Sequence, residues 1–305
     1  MANYLVTGAA GFIGAALAKK LIADGHTVVT IDNLSTGYKS NVPEGVTFIK
    51  GDCGEASVYE RIPQKKYDAI FHIAGQSSGE ISFDDPIYDI RTNAESTLLL
   101  LKFALKNGCD RFIFAGTMSV YGIKPDKRIS EEEECCPESF YGVAKLASEH
   151  YMRIYERYGI RSTCLRLFNV YGPGQNLENL RQGMVSIFLA QMLKSGHIHV
   201  KGSANRFRDF IYIDEVVSAF FACLYRNESY GEIINVGTGI KTTVGQLIDA
   251  LNEVYGKNTT VEYSGSTEGD VYGLVSNNSK LRKLLRINSM CDLHKGISKM
   301  LEFYL

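Results

Sequence analysis

Tyr141 and Lys145 stand four residues apart in a helical stretch, so both side chains lie on one face. A phenol beside an ammonium is an acid–base pair. A free tyrosine ionises near pH ~10, and moving that to about 7 takes roughly 4 kcal/mol. An ammonium about 4 Å away supplies roughly that much at an effective dielectric near 20. With 18 tyrosines in the chain, however, about one such spacing is expected by chance, so the surroundings must carry the assignment. An exposed helix pair is the plain alternative. Thr117, just past an apolar strand, offers a hydroxyl to the same oxygen or else merely caps the strand end.

A second group binds rather than reacts. The strand at residues 4–7 runs into Gly8-Ala9-Ala10-Gly11-Phe12-Ile13-Gly14 and then a helix. The glycines permit a tight turn and close approach to a pyrophosphate. The helix start offers free N–H groups and a positive dipole end to that anion. Asp32 closes the second strand, where a carboxylate accepts from both ribose hydroxyls and repels a 2′-phosphate; this predicts NAD over NADP. Gly51-Asp52 follows the third strand in the same way, placing Asp52 for an adenine amino group or for a turn cap.

These residues need strands and helices in alternation, and the first half supplies them. Strands are expected at residues 27–31, 46–49, 69–73, 112–114 and 161–168, with helices at 12–24, 87–106 and 141–158. Near-continuous apolar strands separated by helices predict a parallel α/β sheet covered on both faces, the doubly wound Rossmann arrangement. After about residue 171 helices dominate, as at 184–193 and in the stretch that Thr243 and Gln246 open with capping-box spacing. Residues 207–213 and 232–236 read as isolated strands able to return to the sheet. The expected division is a cofactor domain over 1–170 and a smaller, mostly helical substrate domain over 171–305.

The bulk numbers exclude several classes. The net charge is −1, from 33 basic and 34 acidic residues, so nothing points to nucleic acid or an anionic membrane. The seven cysteines are scattered, with no CxxC pattern, which argues against a disulfide frame or a metal site. No apolar run approaches the roughly 20 residues of a membrane span. The chain opens directly on the first strand, and a cytoplasmic protein is expected.

Taken together, Gly8-x-x-Gly11-Phe12-Ile13-Gly14 and Ile31-Asp32-Asn33-Leu34-Ser35 resemble the extended short-chain dehydrogenase/reductases that modify nucleotide sugars. That is the NAD-dependent epimerase/dehydratase family, of which UDP-galactose 4-epimerase is the best-known type. The resemblance implies that Thr117, Tyr141 and Lys145 form the catalytic set. It also puts Asn33, Cys53 and Ala74 beside the cofactor, together with Tyr141 and Lys145. Ser77, Thr117, Asn169, Arg208 and Asp270 are implied as substrate contacts, while His72 and Asn93 read as structural. One departure stands out. Epimerases of this type commonly carry Arg two residues before the Gly-Asp of their last substrate motif, and here Thr267 precedes Glu268-Gly269-Asp270. Met118-Ser119 likewise lacks the Asp-Glu pair that dehydratases carry after the Thr. The expectation is 4-epimerisation of a nucleotide sugar through a 4-keto intermediate. Net dehydrogenation or reduction of such a sugar is the second reading, and a non-catalytic cofactor sensor the third. A homodimer formed through the helices at 87–106 and 141–158 is also implied.

Overall fold

The computed structural model describes residues 1–266, 269 and 271–305. Seven parallel strands form the central sheet. They are β1 (Asn3–Thr7), β2 (Thr27–Asp32), β3 (Thr47–Lys50), β4 (Ala69–His72), β5 (Arg111–Thr117), β6 (Arg161–Leu167) and β7 (Glu232–Val236). Their order is β7-β6-β5-β4-β1-β2-β3. The predicted doubly wound sheet is therefore present, and its chain order reverses between β1 and β4. At such a switch point the flanking loops part and open a crevice at the carboxyl ends of the strands.

The helices are α1 (Phe12–Ala23), α2 (Gly79–Asp84), α3 (Pro86–Ile90), α4 (Ser96–Asn107), α5 (Phe140–Tyr155), α6 (Met184–Ser195), α7 (Ile213–Ala222), α8 (Val244–Tyr255), α9 (Ser279–Leu285) and α10 (Leu293–Tyr304). One core joins α1, α6, α7, α8 and α10 to one face of the sheet, around Val6, Leu17, Phe71, Phe220 and Leu247. A second core joins α4 and α5 to the other face, around Leu5, Leu100, Leu101, Phe112 and Met152. Each such buried Leu or Phe contributes roughly 1.5–3 kcal/mol.

Two details differ from the reading of the sequence, the helix at 87–106 and the stretch 207–213. The helix expected at 87–106 is interrupted by a π-turn, Arg91–Glu95. Thr92 and Ser96 hydroxyls bond back onto the carbonyls of Tyr88 and Thr92, competing with the main-chain ladder there. Glu232–Val236 joins the main sheet in parallel with β6. The stretch 207–213 does not: Phe207–Arg208 pairs with Thr242–Thr243, Phe210–Tyr212 pairs with Asn169–Tyr171, and Ile213 already opens α7. The capping box at Thr243 and Gln246 is formed, with both reciprocal hydrogen bonds. Among the described residues no helix is long and apolar enough to cross a membrane, and no cluster of His, Cys, Asp and Glu could hold a metal.

Candidate active site

A cavity of about 390 Å³ runs along the carboxyl ends of the strands, from the β1–α1 turn to Tyr141 and Lys145. At one end Gly11 N-caps α1 with no side-chain hydrogen bond, so the first-turn N–H groups keep their capacity for an anion. A Cβ on Gly14 would collide with the Gly8 carbonyl, which explains why the helix can approach the turn so closely. Asp32 ends β2, with one oxygen accepting from Ala10 N at 2.9 Å and the other from Leu34 N at 2.8 Å. Asn33 Nδ2 donates to Asp52 at 2.8 Å, so these two side chains hold one another at the cavity wall. Cys53 lines the same end, and burial pushes its thiol well up. Ala74 also lines it, with its N–H donating to Thr7 Oγ1 at 3.1 Å. Uncapped N–H donors, a glycine cradle and an acid beyond the second strand together fit a dinucleotide such as NAD.

At the other end β5 presents Thr117 and α5 presents Tyr141 and Lys145, all three buried. The helix starts there because Ser139 caps it, its hydroxyl accepting from Gly142 N at 3.1 Å. Lys145 Nζ donates to the Ala115 carbonyl at 3.0 Å and lies 6.0 Å from the centre of the Tyr141 ring. Burial adds to the charges that act on the phenol. Burial pushes Tyr141 up to about 12, with hydrogen bonding to Thr117 pulling it back and the Asp89 charge adding to the rise. Burial brings Lys145 down to about 8. In the chain by itself desolvation of the phenolate is the largest influence on Tyr141. His72 is wholly buried and bonded to Thr7 and Thr97, and burial holds its pKa low, so the ring is neutral.

The substrate side divides the expected residues. Ser77 and Asn169 line the cavity. Ser77 Oγ accepts from Gln182, and Asn169 Nδ2 donates to the Asp209 carbonyl at 3.3 Å. Arg208 is not brought to the lining. It is buried, and its Nη1 donates to the carbonyls of Phe207 at 2.7 Å and Tyr272 at 3.2 Å. Asp270 and Thr267 lie outside the described residues. The sequence reading missed the loop at 174–183, whose Gln175, Asn179 and Gln182 close the cavity from the other side. Its one signal was an amide-rich run without periodicity. Ser78 Oγ donates to the Arg181 carbonyl at 3.0 Å, a second tie between that loop and residues 76–78.

Comparison with known proteins agrees with this geometry. The chain is 33% identical over 307 residues to a UDP-glucose 4-epimerase of Mycolicibacterium smegmatis, covering 98% of this chain and 97% of that one. Its fold matches a crystal structure of UDP-glucose 4-epimerase with UDP-glucose from Thermotoga maritima, with a TM-score of 0.95 and 35% identity over 99% of this chain and 98% of the other. It also matches a Thermus thermophilus UDP-glucose 4-epimerase complex with NAD, with a TM-score of 0.92 and 32% identity over 99% and 98% of the two chains. Residues 4–237 match the NAD dependent epimerase/dehydratase family, and the chain belongs to that family.

Proposed function

We infer that this chain is an NAD-dependent epimerase of a nucleotide-linked sugar, working at C4 through a transient 4-keto sugar, with UDP as the nucleotide. The observation that carries the reading is the meeting of Thr117, Tyr141 and Lys145 at one end of a cavity whose other end is the glycine turn and Asp32. Relatives described as UDP-glucose 4-epimerases, one solved with UDP-glucose and one with NAD, support it.

Bound NAD supplies a reversible hydride acceptor and the positive charge of its oxidised ring. The chain's own residues handle the proton. Tyr141 Oη takes the proton of the C4 hydroxyl as the carbonyl forms, and returns it to the same oxygen when the carbon is reduced from its other side. Thr117 hydrogen-bonds that oxygen and shares its charge. Lys145 favours the phenolate that Tyr141 must become. No proton or electron pair is lost over a cycle, so no added reductant is needed. Among the described lining residues the only carboxylates are Asp32 and Asp52, at the adenosine end. Water elimination needs a further acid–base pair beside Tyr141, and the described lining residues offer none there.

In this reading residues 1–170 hold the cofactor and 171–305 the sugar nucleotide, with β7 lent back to the sheet. Ser77 and Asn169 touch the substrate, while Arg208 ties Phe207 to Tyr272 behind them. The protein is a homodimer: Ile87 and Ile90 on α3 and Val143 and Ile154 on α5 are exposed apolar side chains on the two helices expected to pair. Seven unpaired thiols support a cytoplasmic location.

The test is incubation with UDP-hexoses and UDP-hexuronates without added NAD, followed by proton NMR. A mixture of C4 epimers is expected, and Tyr141→Phe abolishes it. Turnover that consumes one NAD per sugar, or no C4 epimer from any of these sugars, overturns the reading.

A further inference from the structure

We propose that Asp89 is a positioning residue of this active site, a buried carboxylate that fixes residues 75–78 through Gln76 and Asn93 and balances the charge of Lys145. The inference rests on the epimerase reading above and adds to it a residue outside the cavity wall.

The first observation is an inverted helix. On α3 Asp89 is 0% exposed, whereas Ile87 is 68% and Ile90 49% exposed. The two isoleucines lie on the face read above as the dimer contact, and the acid is the side chain turned into the chain's own interior. The acid is also poorly satisfied. Its Oδ1 accepts from Gln76 Nε2 at 2.8 Å and from Asn93 Nδ2 at 3.2 Å. Among the described residues its Oδ2 has no hydrogen-bond partner, and neither has Asn93 Oδ1. An unpaired buried carboxylate oxygen destabilises a fold, so packing gives no reason for Asp89.

Its partners give one. Gln76 Nε2 also donates to the Ser78 carbonyl at 2.8 Å, and Gln76 Oε1 accepts from Ser78 N. Asn93 Nδ2 donates to the Gln76 carbonyl at 2.9 Å. Asp89 thus fixes both ends of Gln76, and the flanking Gly75 and Ser77 line the cavity. Gly75 leaves room between Asn93 and Lys145 that a side chain would take. A Cβ there would collide with Asn93 Oδ1 and stand 3.4 Å from Lys145 Nζ.

The charge acts on the same group. The Asp89 anion raises both Lys145 and Tyr141, opposing the burial that lowers the lysine. Burial raises Asp89 itself to about 6, against the Gln76 hydrogen bond and the Lys145 ammonium, so it is ionised above that pH. The other charged or titratable groups nearby are engaged elsewhere or exposed. From β4, His72 is neutral and bonded to Thr7 and Thr97. From α2, Glu80 and Asp84 pair with Arg181. From α5, Glu149 pairs with Arg166. On the π-turn, Arg91 and Glu95 are exposed.

The experiment compares Asp89→Asn, which keeps the shape and an acceptor but deletes the charge, with Asp89→Ala, which deletes both. With Asp89→Asn both limbs of the kcat/KM profile are expected to move to lower pH by about half a unit or more, because an anion that raised Lys145 and Tyr141 is gone. NADH binding followed by fluorescence across the same pH range shows the same displacement of the lysine limb without any turnover. Asp89→Asn is also expected to unfold at the same or higher denaturant concentration at pH 8, since a buried charge has been removed. Asp89→Ala additionally raises KM for the sugar nucleotide by more than about threefold, because residues 75–78 lose their anchor. A wild-type protein inactive on every UDP-sugar would sink the epimerase reading, yet the NADH titration would still report on Asp89. An Asp89→Asn variant with unmoved limbs in both profiles, or one merely less stable at pH 8 with unchanged profiles, leaves Asp89 a structural residue and overturns the proposal.

Discussion

Lys145 Nζ is held 3.0 Å from the Ala115 carbonyl, so the ammonium of α5 is pinned near the carboxyl end of β5. The same strand ends in Thr117, and one hydrogen bond therefore sets the spacing between the cation and the hydroxyl. Burial lowers Lys145 to about 8, below its usual range. Activity is expected to fall as pH rises through about 8, where the ammonium is lost. The stability effect has the opposite sign. Between about 8 and the unfolded value of 10.5 the unfolded chain holds the proton and the folded chain does not, so folding is favoured as pH rises. Lys145→Met should remove the alkaline limb and lower kcat about 100-fold or more, read from initial rates between pH 6 and 10.

Asp32 joins β2 to the phosphate turn through Ala10 and to its own following loop through Leu34. Asp32→Ser shortens the acceptor and removes its charge. NAD affinity is expected to drop at least about tenfold while NADP affinity rises relative to it, because repulsion of a 2′-phosphate is relieved. Isothermal titration with both dinucleotides checks this, and an unchanged NAD/NADP ratio would refute the assigned role.

Arg166 and Glu149 form a buried pair, each 3% exposed, with Nε donating at 3.0 Å and Nη2 at 2.7 Å. Removing one partner strands the other charge. Glu149→Gln should cost about 3–5 kcal/mol in urea unfolding, against much less for a surface pair such as Lys20 and Asp24. A loss below about 1 kcal/mol would mean that water or a neighbour compensates the guanidinium.

Val143 and Ile90 expose apolar surface on neighbouring helices. If that surface is the dimer contact, Val143→Glu with Ile90→Glu yields a monomer in sedimentation equilibrium at micromolar protein, with far-UV circular dichroism unchanged. A wild-type chain that already sediments as a monomer contradicts the expected assembly.

Much of this protein was legible because its signals are local. The glycine turn, Asp32 and the strand–helix alternation depend on residues close in sequence, and the turn can work in only one context. The Tyr141–Lys145 spacing was equally local. Its electrostatics were not, since the desolvation that raises the phenol depends on what packs over it.

The residues of the loop at 174–183 carry no periodicity, and nothing local says that Gln182 will meet Ser77, 105 positions earlier. Arg208 read as an anion contact because a guanidinium suits one; that the carbonyls of Phe207 and Tyr272 accept from it follows from packing and not from the residues beside it. Nothing in the sequence around Asp89 marks it out, and only tertiary packing buries it against Gln76 and Asn93. The sequence by itself determined the sheet and the glycine turn, because these follow from short-range sterics and hydrophobic period. Tertiary structure alone decided which polar side chains are desolvated and whom they face, because burial and charge act through space rather than along the chain.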